Sequence, residues 1–199
     1  MRKLIVQEWI TLDGFAAGKN GQLDFFTSLS PEQNKQSDLD QLKLLEETDT
    51  ILLGRITYQL FAGYWPAAAS DAEIIANKLN SLHKIVFSNT LTTAPWGEWP
   101  AASIIAGNAV PAIKELKQLP GKNMVLWGSI SLVQSLIKEN LVDEYHLQLC
   151  PVLTGAGRKL FPGEARMNQL QLQAVKQYDT GLVLLQYKAG IYMQDASVL

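Results

Sequence analysis

The apolar positions of this chain follow two rhythms, and their alternation sets out the elements. Residues 3–10, Lys-Leu-Ile-Val-Gln-Glu-Trp-Ile, are rich in β-formers and read as a first strand. Residues 11–22 carry Gly14, Gly18 and Gly21 and read as a loop. Ser30-Pro31 has the form of an N-cap followed by proline at the first helical position. Leu39, Leu42, Leu44 and Leu45 then recur at helical spacing to about Glu47. Short, continuously apolar strands are predicted at 50–54, 84–88, 103–106 and 123–127, with helices at 55–63, 72–82, 109–119 and 132–139 between and after them. Residues 95–100, holding Trp96 and Trp99 between two prolines, read as an irregular surface segment. A long strand over 142–153 follows. Two late strands, 170–178 and 182–187, flank Asp179-Thr180-Gly181 and give a hairpin signal.

Short apolar strands separated by helices suit a sheet covered on both faces, so the predicted class is α/β, and the closing hairpin makes the sheet mixed. No linker, repeat or low-complexity tract interrupts residues 1–199, which are expected to form one domain. At 199 residues and 47% hydrophobic, disorder is excluded and one sizeable core is within reach. A formal net charge of -2 provides no global field for nucleic acid or an anionic membrane. No apolar run reaches the ~18 residues of a spanning helix, and Glu8 interrupts the first apolar stretch before a signal-peptide core forms.

Cysteine and histidine narrow the chemistry further. The single cysteine, Cys150, excludes an intrachain disulfide and fits a cytoplasmic location. In its alternating strand it reads as a small buried hydrophobe. His83 and His146, with one Cys, cannot build a Cys/His zinc site, and no metal is expected. No G-x-S-x-G elbow accompanies them, which argues against a hydrolase.

Three strand-to-helix junctions carry candidate chemistry. In Leu53-Gly54-Arg55-Ile56-Thr57-Tyr58 a glycine permits close backbone approach, and Arg55 with a helix start suits an anion. Phe87-Ser88-Asn89-Thr90 places hydroxyl and amide groups at a strand end, and Trp127-Gly128-Ser129-Ile130-Ser131 turns into a helix. Any one is also a plain packing turn. Three together favour a phosphorylated ligand. Neither G-x-G-x-x-G after a strand nor G-x-x-x-x-G-K-[ST] is present, and Gly155-Ala156-Gly157 reads as a turn.

These junctions, with residues 11–18 (Thr-Leu-Asp-Gly-Phe-Ala-Ala-Gly), 84–88 and the stretch from Leu141-Val142-Asp143-Glu144-Tyr145 through Pro151-Val152-Leu153-Thr154-Gly155-Ala156-Gly157 to Leu160-Phe161-Pro162, resemble the dihydrofolate reductase-like superfamily. The closer resemblance is to the RibD C-terminal domain family, the reductase domain of bacterial riboflavin biosynthesis. It implies a three-layer fold, with a mixed, mostly parallel sheet between helices and a C-terminal antiparallel hairpin. It also implies NADPH as hydride donor and a homodimer. Gly54, Arg55 and Thr57 match the turn that holds the cofactor's phosphates, Ser88 the strand end near the ribose phosphate, and Gly128, Ser129 and Ile130 the turn under the pyrophosphate. Ala17 and Gly18 match the loop beside the nicotinamide.

On the substrate side, Asp24 roughly matches the carboxylate that hydrogen-bonds a pterin-like ring and assists its protonation, although an aspartate there also N-caps a helix. Phe26 is expected to stack on a flat heterocycle or to pack in the core, and Glu144 to face the site or cap a strand. Residues 60–69, Leu-Phe-Ala-Gly-Tyr-Trp-Pro-Ala-Ala-Ala, depart from the family: they are aromatic and alanine-rich, with no basic residue for a ribose phosphate. The expected function is NADPH-dependent reduction of a small pterin- or pyrimidine-like molecule. The alternative is a non-catalytic nucleotide-binding or regulatory protein on the same fold.

Overall fold

Strands of a sheet send successive side chains to opposite faces, and here the two sets build two separate cores. The computed structural model describes residues 1–27, 31–161, 163 and 169–190, apart from the side chains of residues 26, 27 and 31–34. The elements run β1 (Leu4–Thr11), β2 (Phe15–Ala17), α1 (Asp24–Thr27), α2 (Pro31–Glu46), β3 (Thr48–Gly54) and α3 (Arg55–Ala62), then a 3₁₀ turn at Trp65–Ala67. They continue with α4 (Ala76–Ser81), β4 (His83–Phe87), β5 (Ser103–Ile105), α5 (Ala109–Gln118), β6 (Asn123–Trp127) and α6 (Ile130–Lys138). The last are β7 (Glu144–Cys150), β8 (Arg158–Lys159), β9 (Leu170–Gln177) and β10 (Val183–Ala189).

On one face Leu4, Val6, Leu52, Met124 and Leu126 pack with Ile113 of α5 and with Val133 and Leu136 of α6. On the other, Ile51, Leu53, Val86 and Val125 pack with Leu45 of α2, Tyr58 of α3 and Leu79 of α4. The sheet is therefore sandwiched between α5–α6 and α2–α4, as a continuously apolar strand pattern requires.

The eight-stranded sheet has the order β5-β4-β3-β6-β1-β7-β10-β9. From β5 to β7 each neighbouring pair is parallel. The closing hairpin adds β10 antiparallel to β7, with β9 antiparallel to β10. The carboxyl ends of β1, β3, β4 and β6 consequently open toward one side. Among the described residues no helix is long and apolar enough to cross a membrane.

The structure differs from the sequence expectations in a few places. The 11–22 loop contains β2, which pairs with β8, so the Gly155–Gly157 turn leads into a two-stranded ribbon. The 72–82 helix shortens to α4, and the 142–153 strand to β7. Ser30, the expected cap of α2, lies outside the described residues.

The 95–100 segment is irregular and exposed at Pro95, Gly97, Glu98 and Pro100, as expected, but Trp96 is turned inward. Trp96 is 1% exposed, with its ring over the α2–α4 core. Its Nε1 donates to Asn80 Oδ1 (2.7 Å), and Asn80 Nδ2 donates to the Trp65 carbonyl (2.8 Å). Lys84 Nζ lies 4.9 Å from the Trp96 ring centroid, and burial pushes this ammonium down to about 8. A tryptophan with prolines nearby satisfies its own N–H here and anchors the Tyr64–Trp65 segment. Trp96→Ala is expected to cost about 3–5 kcal/mol of unfolding free energy, measured by urea denaturation. A loss below about 1 kcal/mol would show that the surroundings close over the void.

Candidate functional site

Two turns at the ends of neighbouring strands shape the site. β3 ends at Gly54, and β6 ends before Gly128-Ser129, where both residues are left-handed (φ +57° and +61°). A Cβ on Gly128 would meet Thr57 Oγ1 at 2.7 Å, and one on Gly54 would meet Ser129 Oγ at 2.8 Å. With glycine at both positions the turns nest. The Gly54 N–H donates to Ser129 Oγ (2.5 Å), and Ser129 Oγ donates to Thr57 Oγ1 (3.0 Å). A left-handed serine is strained, and such strain concentrates at functional turns. Neither α3 nor α6 has a side-chain cap at its N-terminus, so no side chain takes up their first amides, which lie at the cavity.

At the end of β4, Ser88 Oγ accepts from the Thr90 and Leu91 amides (3.2 and 3.1 Å). Asn89 Oδ1 accepts from the Gly107 amide (2.6 Å), which ties this turn to the start of α5.

A cavity of about 1030 Å³ lies over these strand ends. Its amide-rich rim holds Gly54, Arg55, Thr57, Ser88, Gly128 and Ser129, together with Ile130, and Ala17 of β2 also lines it. Of the residues expected from sequence, all the proposed cofactor contacts except Gly18 thus meet at one cavity. Gly18 lies next to Ala17, and its amide is bonded to the Gln22 carbonyl.

The expected substrate residues are placed otherwise. Asp24 begins α1, is exposed, and does not line the cavity. Glu144 opens β7 at the opposite end of the sheet from the cavity. It accepts from Lys3 Nζ (2.7 Å) and pairs with His146 Nε2 (3.3 Å). The His146 hydrogen bond and Lys3 hold its carboxyl down to about 2. The Phe26 side chain lies outside the described residues.

The carboxyls that do line the cavity are Glu8, Asp38 and Glu73. Glu8 sits in the central strand β1, 8% exposed, where the Gly128 amide partly opposes the effect of burial on its carboxyl. Its Oε1 is buried with no hydrogen-bond partner among the described residues. Burial pushes the carboxyl up to about 8. Asp38 and Gln41, three apart on α2, share a helix face. Gln41 Nε2 donates to Gln7 Oε1 (3.4 Å), and Trp127 Nε1 also donates to that oxygen. Two positions along α2, Asp40 turns the other way and accepts from Tyr178 Oη (2.9 Å) and from Lys176. These contacts fix α2 so that Asp38 faces the cavity, where burial and then Glu73 push its carboxyl up to about 6.

Aromatic rings complete this wall. Phe61 lies 5.9 Å from Trp127 and 6.2 Å from Trp65, and Tyr64 lies 5.2 Å from Trp65. Sequence reasoning missed Glu8, Asp38 and Glu73. The one available signal was an acidic residue inside an otherwise buried strand, at Glu8. Among the described residues no group of three His, Cys, Asp or Glu side chains could hold a metal ion.

Comparison with known proteins agrees with this architecture. The fold is that of the dihydrofolate reductase-like proteins. A dihydrofolate reductase from Enterococcus faecalis, crystallised with NADP(H), superimposes with a TM-score of 0.57 at 15% identity, covering 95% of this chain and 97% of that one. A pyrimidine reductase-like protein from Corynebacterium diphtheriae superimposes at 0.65 with 16% identity, covering 96% and 93%. The chain belongs to the RibD C-terminal domain family, whose pattern residues 2–184 match. The Bacillus subtilis protein YyaP, itself uncharacterised, is 33% identical over 188 residues, 94% of each chain.

The buried carboxyl of Glu8 has a measurable consequence. The unfolded chain releases this proton near 4.5, whereas the folded chain keeps it to about 8. The stabilising proton uptake is therefore complete below 4.5, and stability declines as pH rises toward 8, by up to about 1.4 kcal/mol per pH unit. Denaturation of the native chain and Glu8→Gln at about pH 5 and pH 8 is expected to show the native chain losing ground to the variant at the higher pH. A pH-independent difference would place the Glu8 carboxyl at its ordinary value.

Proposed function

We propose that this protein is an NADPH-dependent reductase of a small, flat, pterin- or pyrimidine-like heterocycle. The observation that carries the reading is one cavity with two unlike ends. Its rim of uncapped helix starts suits phosphates, and its wall of aromatic rings and carboxyls suits a flat nitrogen heterocycle. The family and the fold shared with a dihydrofolate reductase crystallised with NADP(H) support it.

The residues fit such a cofactor. Arg55 and the first amides of α3 and α6 would hold the phosphates, the Ser88 turn the ribose phosphate, and Ala17 of β2 the nicotinamide side. Bound there, NADPH would supply the hydride. Glu8, protonated at neutral pH, holds a proton at the same cavity. Asp38 offers an acceptor to ring N–H groups, the role expected of Asp24 from sequence. Phe61 and Trp127 form an apolar wall that excludes water from a planar substrate.

The titration of purified protein with NADPH and NADH tests this. NADPH is expected to bind, and absence of binding by either would sink the reading. Arg55→Ala is expected to weaken NADPH by about ten-fold or more and NADH much less, as the loss of a guanidinium from a 2′-phosphate implies. Equal losses would remove Arg55 from that phosphate.

We also infer that the chain works as a cytoplasmic homodimer. Along β9, an edge strand of the sheet, every residue after Leu170 is exposed on both faces, with Leu172 at 50% and Val175 at 58%. An edge strand that exposes Leu172 and Val175 in this way offers a pairing surface for a second copy. Light scattering is expected to give twice the chain mass, and Val175→Asp to shift the population to monomer. A native monomer would refute the inference.

A further inference from the structure

A carboxyl in a central strand has few ways to carry a charge. Glu8 is more than nine-tenths buried, lines the cavity, and keeps Oε1 without a hydrogen-bond partner among the described residues. Buried carboxyl oxygens are satisfied in nearly every folded protein, so this one points to a bound molecule. Its place on the sheet says which end of the cavity it serves. Val6 and Ile10, on the same face of β1, pack with Ala16 and Ala17 of β2 and with Ile130 at the start of α6. Glu8 thus lies between the phosphate rim and β2, the side assigned above to the nicotinamide.

No cation of the chain serves this carboxyl. Burial and the Gly128 amide act on it, and no basic side chain does. The charged groups that line the cavity are Asp38 of α2, Arg55 of α3, Glu73 before α4 and Arg158 of β8. Lys159 of β8 lies over the Phe15 ring. α6, which covers this face, carries no titratable side chain before Lys138. The α5 lysines pair with Glu139 and Asp143. On β7, Leu147 stands opposite Glu8, Tyr145 packs against Phe161, and His146 belongs to the other face, beside Gln186.

Resting on the reductase reading above, we propose that Glu8 discriminates the redox state of the cofactor, with its carboxyl neutral beside the reduced nicotinamide ring and ionised beside the oxidised one. The oxidised ring carries a fixed positive charge and the reduced ring carries none. Beside the oxidised ring a carboxylate gains the partner that the chain withholds, and in a buried space that attraction is strong. Beside the reduced ring the carboxyl keeps its proton, which burial holds to about 8. Binding of NADP+ therefore expels a proton to solvent, whereas binding of NADPH does not. By linkage, NADP+ binds more tightly as pH rises toward 8, and the site favours the reduced cofactor most at low pH.

Dissociation constants for NADPH and NADP+, measured by calorimetry at pH 6, 7 and 8, test this on the native chain and on Glu8→Gln. The 2′-phosphate is common to both forms and cancels in their ratio. The NADP+ to NADPH ratio of the native chain is expected to fall by about ten-fold from pH 6 to pH 8, and that of the variant to stay within about two-fold. Repeating the native titrations at pH 7 in two buffers of different ionisation heat is expected to count about one proton released per NADP+ and none per NADPH. A native ratio that moves less than about two-fold, a pH dependence that the variant retains, or NADP+ binding without proton release would overturn the proposal. Glutamine is neutral like the protonated carboxyl, so native-like NADPH binding reports a folded variant. Should the variant not fold, the proton count on the native chain decides alone. Failure of both cofactors to bind would sink the reductase reading and this proposal with it, while binding of both without proton linkage sinks the proposal alone.

Discussion

The nesting of the β3 and β6 turns is the constraint on which the rest of the site depends. β3 and β6 are hydrogen-bonded neighbours, and each ends by entering a helix on a different face of the sheet. Two such turns side by side compete for the same volume. Gly54 and Gly128 yield that volume, since a Cβ on either would approach the opposing turn to within 2.8 Å. Ser129 bridges what remains, accepting from one turn and donating to Thr57 in the first turn of α3. Its left-handed backbone costs roughly 1–2 kcal/mol, offset by hydrogen bonds that no other conformation reaches. The result is two uncapped helix starts at the lining of one cavity. The positive potential there comes from backbone, with Arg55 adding to it.

That arrangement shows how a chain with a net charge of -2 could build the anion site proposed above. The charge count registers side chains, whereas the field at the rim comes from peptide dipoles. The placing of the carboxyls follows from the strand order and from α2. β1 lies between β6 and β7, so Glu8 is enclosed on both edges, and the Gly128 amide acts on its carboxyl. α2 is held at the hairpin through Asp40 and Tyr178, and at β1 through Gln41 and Gln7. With both ends of the helix contact fixed, Asp38 has little freedom to turn back to solvent. The cavity is electrically polar because backbone dictates one end and helix phase the other.

Most of the sheet and the anion rim were legible in the sequence, because both rest on local rules. Apolar runs separated by helical periodicity mark strands, and a glycine followed by a helix start marks a turn at a strand's carboxyl end. Residues 54–57 and 128–130 could be picked out on that basis. The acidic wall was not legible. Asp24 drew attention through its likeness to a family position, and it is a surface residue at a helix start. Asp38 lies mid-helix, where its direction depends on how α2 is phased against Gln7 and the hairpin. Those contacts link residues 34 and 138 positions apart. The burial of Trp96 was hidden for the same reason: its segment is a surface one, but the indole finds its hydrogen-bond partner in Asn80 of α4. The β2–β8 ribbon, which joins segments more than 140 residues apart, has strands too short for any period to show.

This difference in origin bears on how far fold likeness can be taken. At 15 or 16% identity, a shared fold carries over strand ends and helix starts, which are backbone features. It does not carry over the side chains of a wall such as Phe61, Tyr64 and Trp65, where this chain is aromatic and alanine-rich. On the reading proposed above, cofactor binding and substrate choice therefore rest on different physical parts of the molecule. The first can persist through wide divergence, because any sequence that keeps small residues at the two strand ends keeps the nested turns. The second turns on a few charges in a low-dielectric space, where exchanging one carboxylate for a base would invert the preferred ligand. Under the proposed reading, substrate choice is to be sought in Asp38, Glu73 and Glu8 of this chain, and not in the names of proteins that share its sheet.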